Sequence, residues 1–255
     1  MTLRNLFDLT DKVAIITGGA QGIGKAAAVG LAEFGADIVV ADIQIDLAHG
    51  TAREVAQLGR KGLAIRVDVS DQESVRTMVE QTVSQFGRID ILFNNAGLTN
   101  RKPALEVTSE DWYKLFQVNL LGVFFCAQAV GRVMIQQRKG KIINSTSTVG
   151  VRGDLNRSIY ASTKGGVIQL TKVLANEWGK YNIQVNAIGP GFIKTPLTAG
   201  LLSDREVLSG IVKKIPLGRV GDPEDLVGAL VFLSSRASDF VTGLTLFVDG
   251  GWLVD

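Results

Sequence analysis

Tyr160 and Lys164 place a phenol and an ammonium group four residues apart in the chain. On a helix, both side chains would lie on one face, one turn apart. A neighbouring cation favours phenolate, so we expect the pKa of Tyr160 to fall below its ordinary value of about 10. Such a tyrosine can exchange a proton with a carbinol oxygen. The pair alone is weak, because the same spacing also occurs on exposed helices that do no chemistry.

A hydroxyl group upstream of the pair can hold the same oxygen. Two serines and two threonines occupy positions 145–148, directly after an apolar run. Ser147 and Ser145 are both candidates on this ground.

The composition favours one large domain. The chain has 255 residues, of which 46% are hydrophobic and 20% are charged, and its net charge is +2. A near-neutral chain gives no reason to expect nucleic acid or an anionic membrane as a partner. We find neither a leader segment nor an apolar span long enough to cross a bilayer, and we therefore expect a cytoplasmic protein.

The single cysteine and the single histidine carry little chemistry. Cys126 lies in an apolar stretch, which indicates a packing residue rather than a nucleophile. His49 lies in a polar helical stretch with no second histidine or cysteine beside it. We therefore predict a solvated helix face there and no metal site.

Apolar strand-like runs alternate with longer helical patterns. This alternation predicts an α/β fold with a parallel sheet that is covered by helices on both faces. In such a sheet, ligands bind beyond the carboxyl ends of the strands. One uninterrupted helix is predicted from about 109 to 136. The predicted strands are 13–17, 37–42, 63–69, 89–94, 141–144, 183–187 and 244–248.

A glycine-rich turn follows the first predicted strand. Gly18, Gly22 and Gly24 lie within the sequence Thr-Gly-Gly-Ala-Gln-Gly-Ile-Gly, together with Gln21 and Ile23. Glycines permit a tight turn and let the backbone approach a pyrophosphate at the start of the next helix. A purely structural turn is the alternative, but the strand–turn–helix context favours a dinucleotide site.

Acidic residues end the next two strands. Asp42 follows Gly24 by 18 residues and can accept hydrogen bonds from both ribose hydroxyls. It would repel a 2′-phosphate, so we predict NAD over NADP. Asp68 and Val69 are the candidates for contacts with adenine, although Asp68 could instead cap the following helix.

The fourth strand ends in Asn94-Asn95-Ala96-Gly97, whose small residues would let a cofactor lie close. Its amide side chains can bridge neighbouring strands. The same four residues could equally form a simple turn.

Together, these motifs resemble those of the short-chain dehydrogenase/reductase superfamily. The resemblance covers nearly the whole chain, and its motifs appear in the family's order. They are TGGAQGIG at 17–24, NNAG at 94–97, Asn119, Ser147, YASTK at 160–164 and PGFIKT at 190–195.

The resemblance implies a single-domain Rossmann-type sheet of seven strands in the order 3-2-1-4-5-6-7. It also implies a catalytic tetrad of Asn119, Ser147, Tyr160 and Lys164, with Ser147 chosen because its distance from Tyr160 along the chain matches the family. Lys164 would also bind the nicotinamide ribose, and Asn119 would help to hold a water molecule through which the proton leaves. The implied contacts with the cofactor include Asn95, Ala96 and Gly97, and those with its nicotinamide come from Pro190, Gly191, Ile193 and Thr195.

Within the superfamily, the chain is most similar to sugar-acid dehydrogenases of the gluconate 5-dehydrogenase and 2-deoxygluconate dehydrogenase type. The basic pair Arg101-Lys102 is part of that likeness. Arg101 could pair with a substrate carboxylate, although a solvated loop charge is the alternative. Arg157 lies in a polar loop that we expect to form another wall of the substrate site.

The resemblance also implies a substrate lid at about 195–215. Helical stretches near 118–133 and 167–174 are apolar on more than one side, which favours a homotetramer. Two alternatives remain. One is a 3-oxoacyl-(acyl-carrier-protein) reductase, which Asp42 and the near-neutral charge disfavour. The other is a non-catalytic NAD-binding protein, which would be marked by a missing tetrad member.

Overall fold

The computed structural model describes residues 3–254 and contains one seven-stranded parallel sheet. Its strand order is β3-β2-β1-β4-β5-β6-β7, which confirms the predicted α/β Rossmann-type topology. The strands are β1 (Val13–Thr17), β2 (Asp37–Asp42), β3 (Gly62–Arg66), β4 (Ile91–Asn94), β5 (Gly140–Ser145), β6 (Ile183–Pro190) and β7 (Thr245–Val248).

Helices cover both faces of the sheet. They are α1 (Gly22–Glu33), α2 (Ile45–Gln57), α3 (Gln72–Phe86), α4 (Ser109–Phe116), α5 (Gly122–Gln137), α6 (Ser158–Trp178), α7 (Ala199–Leu202), α8 (Arg205–Val212) and α9 (Val227–Ser234). Helices α1, α2 and α9 pack on one face, and α3, α5 and α6 pack on the other.

Alternation along the strands divides the core into these two layers. Ile16 packs with the α1 side, whereas its neighbour Ile15 packs with the α3 side, and neither is exposed. Because successive strand side chains point to opposite faces, a strand covered on both sides must be apolar throughout. This is why the strands appear as continuous apolar runs in the sequence.

The predicted strands are all present, but several differ in extent. β3 ends at Arg66 rather than at 69, β4 begins at Ile91 rather than at 89, and β6 extends to Pro190 rather than stopping at 187. Asp68 therefore lies beyond its strand, in the turn before α3. Parallel pairing still brings Thr17, Asn94 and Asn144 side by side at the carboxyl ends of the central strands.

The predicted helix 109–136 is interrupted. Residues Gln117–Leu121 form a π-helical turn between α4 and α5. Such turns insert an extra residue into a helix and are frequent at functional sites. The helical periodicity on either side contains no signal for it.

By length and hydropathy alone, the stretch Ser109–Gln137 could cross a membrane, contrary to our expectation that the chain contains no such span. Its structural setting is that of a core helix. Val130 and Met134 are fully buried against the sheet. Of the most apolar 18-residue segment within this stretch, 44% is buried inside the protein.

Cys126 belongs to the same buried layer, where burial raises the pKa of its thiol to about 12. The prediction of a packing residue is therefore confirmed. His49 is exposed on α2, as expected for a solvated helix face. Residues 3–254 contain no cluster of histidine, cysteine, aspartate and glutamate suited to a metal ion.

Candidate active site

A cleft of 280 Å³ opens at the carboxyl ends of the central strands. It is lined by Ser147 and Tyr160, which the sequence assigned to the chemistry, and also by Phe192 and Leu201. Gly191, directly after β6, also lines it. The cleft therefore lies where a doubly wound sheet places its ligands.

Ser147 is the hydroxyl that meets Tyr160. It lies two residues beyond β5, and its hydroxyl lines the same cleft as the Tyr160 phenol, close enough to lower the pKa of that phenol. Ser145, the alternative, is buried, and its backbone carbonyl oxygen accepts a hydrogen bond of 2.8 Å from Lys164 Nζ. The hydroxyl of Thr146 is also occupied, because it donates a hydrogen bond of 2.8 Å to the carbonyl oxygen of Lys164. The geometry therefore favours Ser147 over Ser145.

The expected lowering of the Tyr160 pKa is wrong for this structure. Burial raises the pKa of Tyr160, and the charge of Arg157 and the hydrogen bond from Ser147 oppose that rise only in part. Tyr160 is half-buried and Lys164 is fully enclosed, and burial lowers the pKa of Lys164 to about 8. Both shifts have the same origin, since burial disfavours the charged form of each group.

Asn119 lies in the π-helical turn and is fully buried. Its side-chain oxygen accepts from the Leu98 backbone N–H at 2.8 Å, and its amide nitrogen donates to the Leu98 carbonyl at 2.9 Å and to Thr163 Oγ1 at 3.4 Å. The side chain thus fixes the loop after Gly97 over the site. Because both polar atoms of the Asn119 side chain are engaged in these bonds, a water molecule would have to contact a backbone atom of Asn119.

The glycine turn has the geometry of a phosphate cradle. Gly18 and Gly22 have φ of +63° and +56°, a region that favours glycine. A Cβ atom at Gly24 would lie 2.0 Å from the Gly18 carbonyl oxygen, so a side chain cannot fit there. Gln21 precedes α1 and forms no side-chain cap, which leaves the first turn of α1 open to an anion. Ile23 points away and packs against the core.

Asp42 is tied to the glycine turn. Its Oδ2 accepts from the Ala20 backbone N–H at 3.0 Å and its Oδ1 accepts from the Gln44 backbone N–H at 2.9 Å. Asp42 is only 7% exposed. A fixed carboxylate therefore stands at the end of β2, beside the predicted position of the adenosine ribose.

Asp68 is exposed, and its Oδ1 accepts from both the backbone N–H and the hydroxyl of Ser70, at 2.9 and 2.6 Å. Asp71, rather than Asp68, caps α3 through the Glu73 backbone N–H. Val69 is buried where the start of α5 approaches it closely.

The Asn95 side chain joins β4 to the glycine turn. Its Nδ2 donates to the carbonyl oxygens of Thr17 and Gly18, at 3.1 and 3.0 Å. The Ala96 backbone N–H donates to Thr17 Oγ1 at 3.2 Å. At Gly97, a Cβ atom would come within 3.3 Å of Asn119 Oδ1 and 3.8 Å of Lys164 Nζ.

The segment after β6 returns towards the glycine turn. Pro190 ends the strand, and Gly191 packs so closely on Asp249 that a Cβ atom would lie 2.8 Å from the Asp249 Cα. The Ile193 carbonyl already accepts from Thr198 Oγ1 at 2.6 Å, so it is less available to a carboxamide than expected. Thr195 lies against Gly22.

Of the basic pair, only Arg101 faces the cleft. Its Nη2 lies 3.5 Å from Asp154 Oδ2, which we did not identify from the sequence. Lys102 instead forms a 2.7 Å ion pair with Asp111 at the start of α4. Asp154 also lies 3.8 Å from Arg157 Nε and therefore stands between the two arginines. No local pattern in the sequence marks Asp154, because its loop is simply polar.

A second cavity of 320 Å³ adjoins the first. It lies beneath α7 and α8, where Ile211 and Ile215 form a small apolar cluster apart from the main core. Trp252, near the end of the chain, also lines it and packs edge-to-face on Phe192 at 4.9 Å. This contact joins residues 60 positions apart in the chain, so the local sequence pattern does not predict it.

Comparison with known proteins identifies the family. A family model described as enoyl-(acyl carrier protein) reductase matches residues 18–253. The 2-dehydro-3-deoxy-D-gluconate 5-dehydrogenase of Dickeya dadantii is 44% identical, over 98% of this chain and 98% of its own. The chain belongs to the short-chain dehydrogenase/reductase family.

Two further members of the family bear on the substrate and the cofactor. The 3-oxoacyl-(acyl-carrier-protein) reductase of Thermotoga maritima is 40% identical, over 96% of this chain and 99% of its own. A crystal structure of a gluconate 5-dehydrogenase from Burkholderia cenocepacia, in complex with NADP and tartrate, is 41% identical, covers 98% of each chain and has a TM-score of 0.95.

As a short-chain dehydrogenase/reductase, the protein is an oxidoreductase that uses a nicotinamide cofactor. Its residues fit such a cofactor. The glycine turn excludes side chains where a pyrophosphate would lie, and the open first turn of α1 follows it.

Replacing Tyr160 with phenylalanine should reduce kcat by about a thousandfold, because positioned acid–base groups contribute factors of this size. Binding of NADH, measured by fluorescence, should be unchanged. Tyr113→Phe is the matched control, since Tyr113 is 65% exposed on α4. Turnover by Tyr160→Phe at the wild-type rate would remove the phenol from the mechanism.

Proposed function

We propose that this protein transfers a hydride between NAD and a secondary alcohol or ketone of a sugar acid. The contact between Ser147 and Tyr160 carries this proposal, because it places two hydroxyl groups where one carbinol oxygen can meet both. The names of the Dickeya and Burkholderia relatives support the sugar-acid class. Neutral sugars and polyols carry the same reacting group, a secondary alcohol, and are included in the proposed substrate class.

Tyr160 exchanges the proton of the carbinol, while Ser147 holds the reacting oxygen by a hydrogen bond. Lys164 donates from α6 to the Ser145 carbonyl oxygen, and Gly97 leaves space beside its Nζ for a ribose. The nicotinamide supplies and accepts the hydride. Asn119 holds the loop that covers the site, and we assign any water contact of this residue to its backbone carbonyl in the π-helical turn.

Pro190 and Gly191 form the surface on which the nicotinamide would lie. Ile193 and Thr195 stand beside its carboxamide, Asn95, Ala96 and Gly97 line the path between the two ends of the cofactor, and Asp68 and Val69 border the adenine. The segment 195–215, with α7 and α8, acts as the lid that excludes water when the substrate binds.

Arg101 is the candidate for the substrate carboxylate. It lines both cavities, and its present partner Asp154 is a carboxylate at the longer distance of 3.5 Å, which a ligand can replace. Arg157 lies deeper in the same cleft, and its Nε has no hydrogen-bond partner among the described residues. Binding of a carboxylate between the two would satisfy both guanidinium groups.

A 3-oxoacyl-(acyl-carrier-protein) reductase is the second candidate, because the Thermotoga relative bears that name. The net charge of +2 gives no strongly basic surface for an acidic carrier protein. Asp42 also disfavours the phosphorylated cofactor. Both observations favour the sugar acid.

The preference for NAD rests on Asp42, whose fixed carboxylate would stand against a 2′-phosphate. The Burkholderia structure contains NADP, so the family includes members that bind the phosphorylated cofactor. Burial strengthens the repulsion between two anions, and Asp42 is nearly inaccessible to solvent.

We also propose a cytoplasmic homotetramer. Leu121 and Val173, on the helical stretches that the sequence marks as apolar on several sides, are 38% and 52% exposed in the single chain. Burial of these side chains between subunits supports assembly. A monomer in light scattering would contradict it.

Arg101→Met should raise the KM for gluconate by about tenfold to a hundredfold, because a charge-assisted hydrogen bond contributes about 1.5–3 kcal/mol. The KM for a neutral polyol should not change. Lys102→Met is the matched control, since it removes a neighbouring positive charge that pairs with Asp111 outside the cleft. Equal effects of the two variants would contradict a carboxylate contact at Arg101.

Asp42→Ala should narrow the ratio of kcat/KM for NAD over NADP by about tenfold, or ~1.4 kcal/mol, by removing the repulsion. Asp42→Asn, which keeps the shape of the side chain, should do the same, so that a collapsed turn is distinguished from a lost charge. Asp68→Ala is the control, because its carboxylate is exposed and engaged with Ser70. An unchanged ratio in both Asp42 variants would show that another residue discriminates.

A further inference from the structure

Arg157 stacks on the candidate acid–base residue. It precedes α6, and its guanidinium carbon lies 5.0 Å from the centroid of the Tyr160 ring. Its side chain is 12% exposed. A guanidinium over an aromatic face is attracted to it, and more strongly when water is excluded. The contact therefore holds the ring of Tyr160 from the residue that precedes α6.

The guanidinium is held in place by neutral oxygens. Its Nη1 donates to the hydroxyl of Thr99 and, at 3.2 Å, to the backbone carbonyl of Asn100. The nearest carboxylate oxygen, Asp154 Oδ2, lies 3.8 Å from Nε, beyond hydrogen-bonding distance. Asp154 is 36% exposed and also pairs with Arg101, so it offsets the charge of Arg157 only in part, and the remaining charge acts at Tyr160.

Lys164 is the other cation beside the ring, with its Nζ 5.7 Å from the centroid. Burial lowers the pKa of Lys164 to about 8, so this charge is progressively lost above that pH. Arginine keeps its charge throughout the working range of proteins, even where burial lowers its pKa. The permanent cation at the phenol is therefore Arg157.

We propose that Arg157 is a positioning residue that fixes the ring of Tyr160 and supplies the permanent positive charge that favours its phenolate form. This inference rests on the proposed role of Tyr160 in proton exchange. It agrees with the direction of the electrostatics, because the charge of Arg157 lowers the pKa of Tyr160 against the rise caused by burial.

Other charged groups surround the site but are placed differently. Arg101 pairs with Asp154 at 3.5 Å, and Lys214 and Arg152 line the adjoining cavity rather than the Tyr160 cleft. The charged side chains that face the cleft or its neighbour are Arg101, Arg152, Asp154, Arg157, Lys164 and Lys214.

The test is a titration of tyrosine by NMR, with ¹³C at the phenolic carbon. The chain contains three tyrosines, at positions 113, 160 and 181, and Tyr160→Phe assigns the signal of interest. In Arg157→Met, we expect the pKa of Tyr160 to rise by about one unit or more, with the other two signals unmoved. Arg157→Lys should restore part of the shift. Arg101→Met, which removes a cation of the same cleft, should leave the Tyr160 titration in place.

An unchanged pKa of Tyr160 in Arg157→Met would overturn the proposal. Arg157→Gln replaces that variant if the methionine chain fails to fold, as judged by its melting temperature. Kinetics gives a second readout, since the pH profile of kcat/KM for alcohol oxidation should move to higher pH by the same amount. The titration needs no substrate, so a failure of the sugar-acid assignment leaves it interpretable, and a null titration leaves the sugar-acid assignment standing.

Discussion

Desolvation of a half-buried phenol and a buried ammonium, one turn apart on α6, is the constraint on which the site depends. Burial raises the pKa of Tyr160 and lowers that of Lys164, so both groups are pushed towards their neutral forms. The surrounding residues offset this cost. Ser147 lowers the pKa of the phenol, the Ser145 carbonyl accepts from the ammonium, and Arg157 supplies a charge that does not titrate.

The sheet explains why these groups meet. Parallel pairing aligns the ends of β1, β4, β5 and β6, and the loops that follow bring together residues from four distant parts of the chain. Asn119 and Asn95 then tie those loops to one another through backbone contacts. The cofactor surface and the acid–base pair are consequently parts of one hydrogen-bonded framework, rather than separate sites.

Much of this could be predicted from the sequence, because the decisive features are local. Strand alternation determines the sheet, and the glycine spacing determines the turn at Gly24. The remainder depends on contacts between distant segments. The π-helical turn at Asn119 lies inside an unbroken helical pattern, the partner of Arg101 is in another loop, and the pKa of Tyr160 is governed by burial, which spacing does not reveal.

The central claim is NAD-linked hydride transfer at a carbinol of a sugar acid. The most direct measurement is an initial-rate comparison of NAD and NADP with gluconate, 2-keto-3-deoxygluconate, a neutral polyol and an acetoacetyl thioester. The account predicts the highest kcat/KM for a sugar acid with NAD. Reduction of the thioester with NADPH as the preferred reaction would contradict both the substrate class and the role of Asp42.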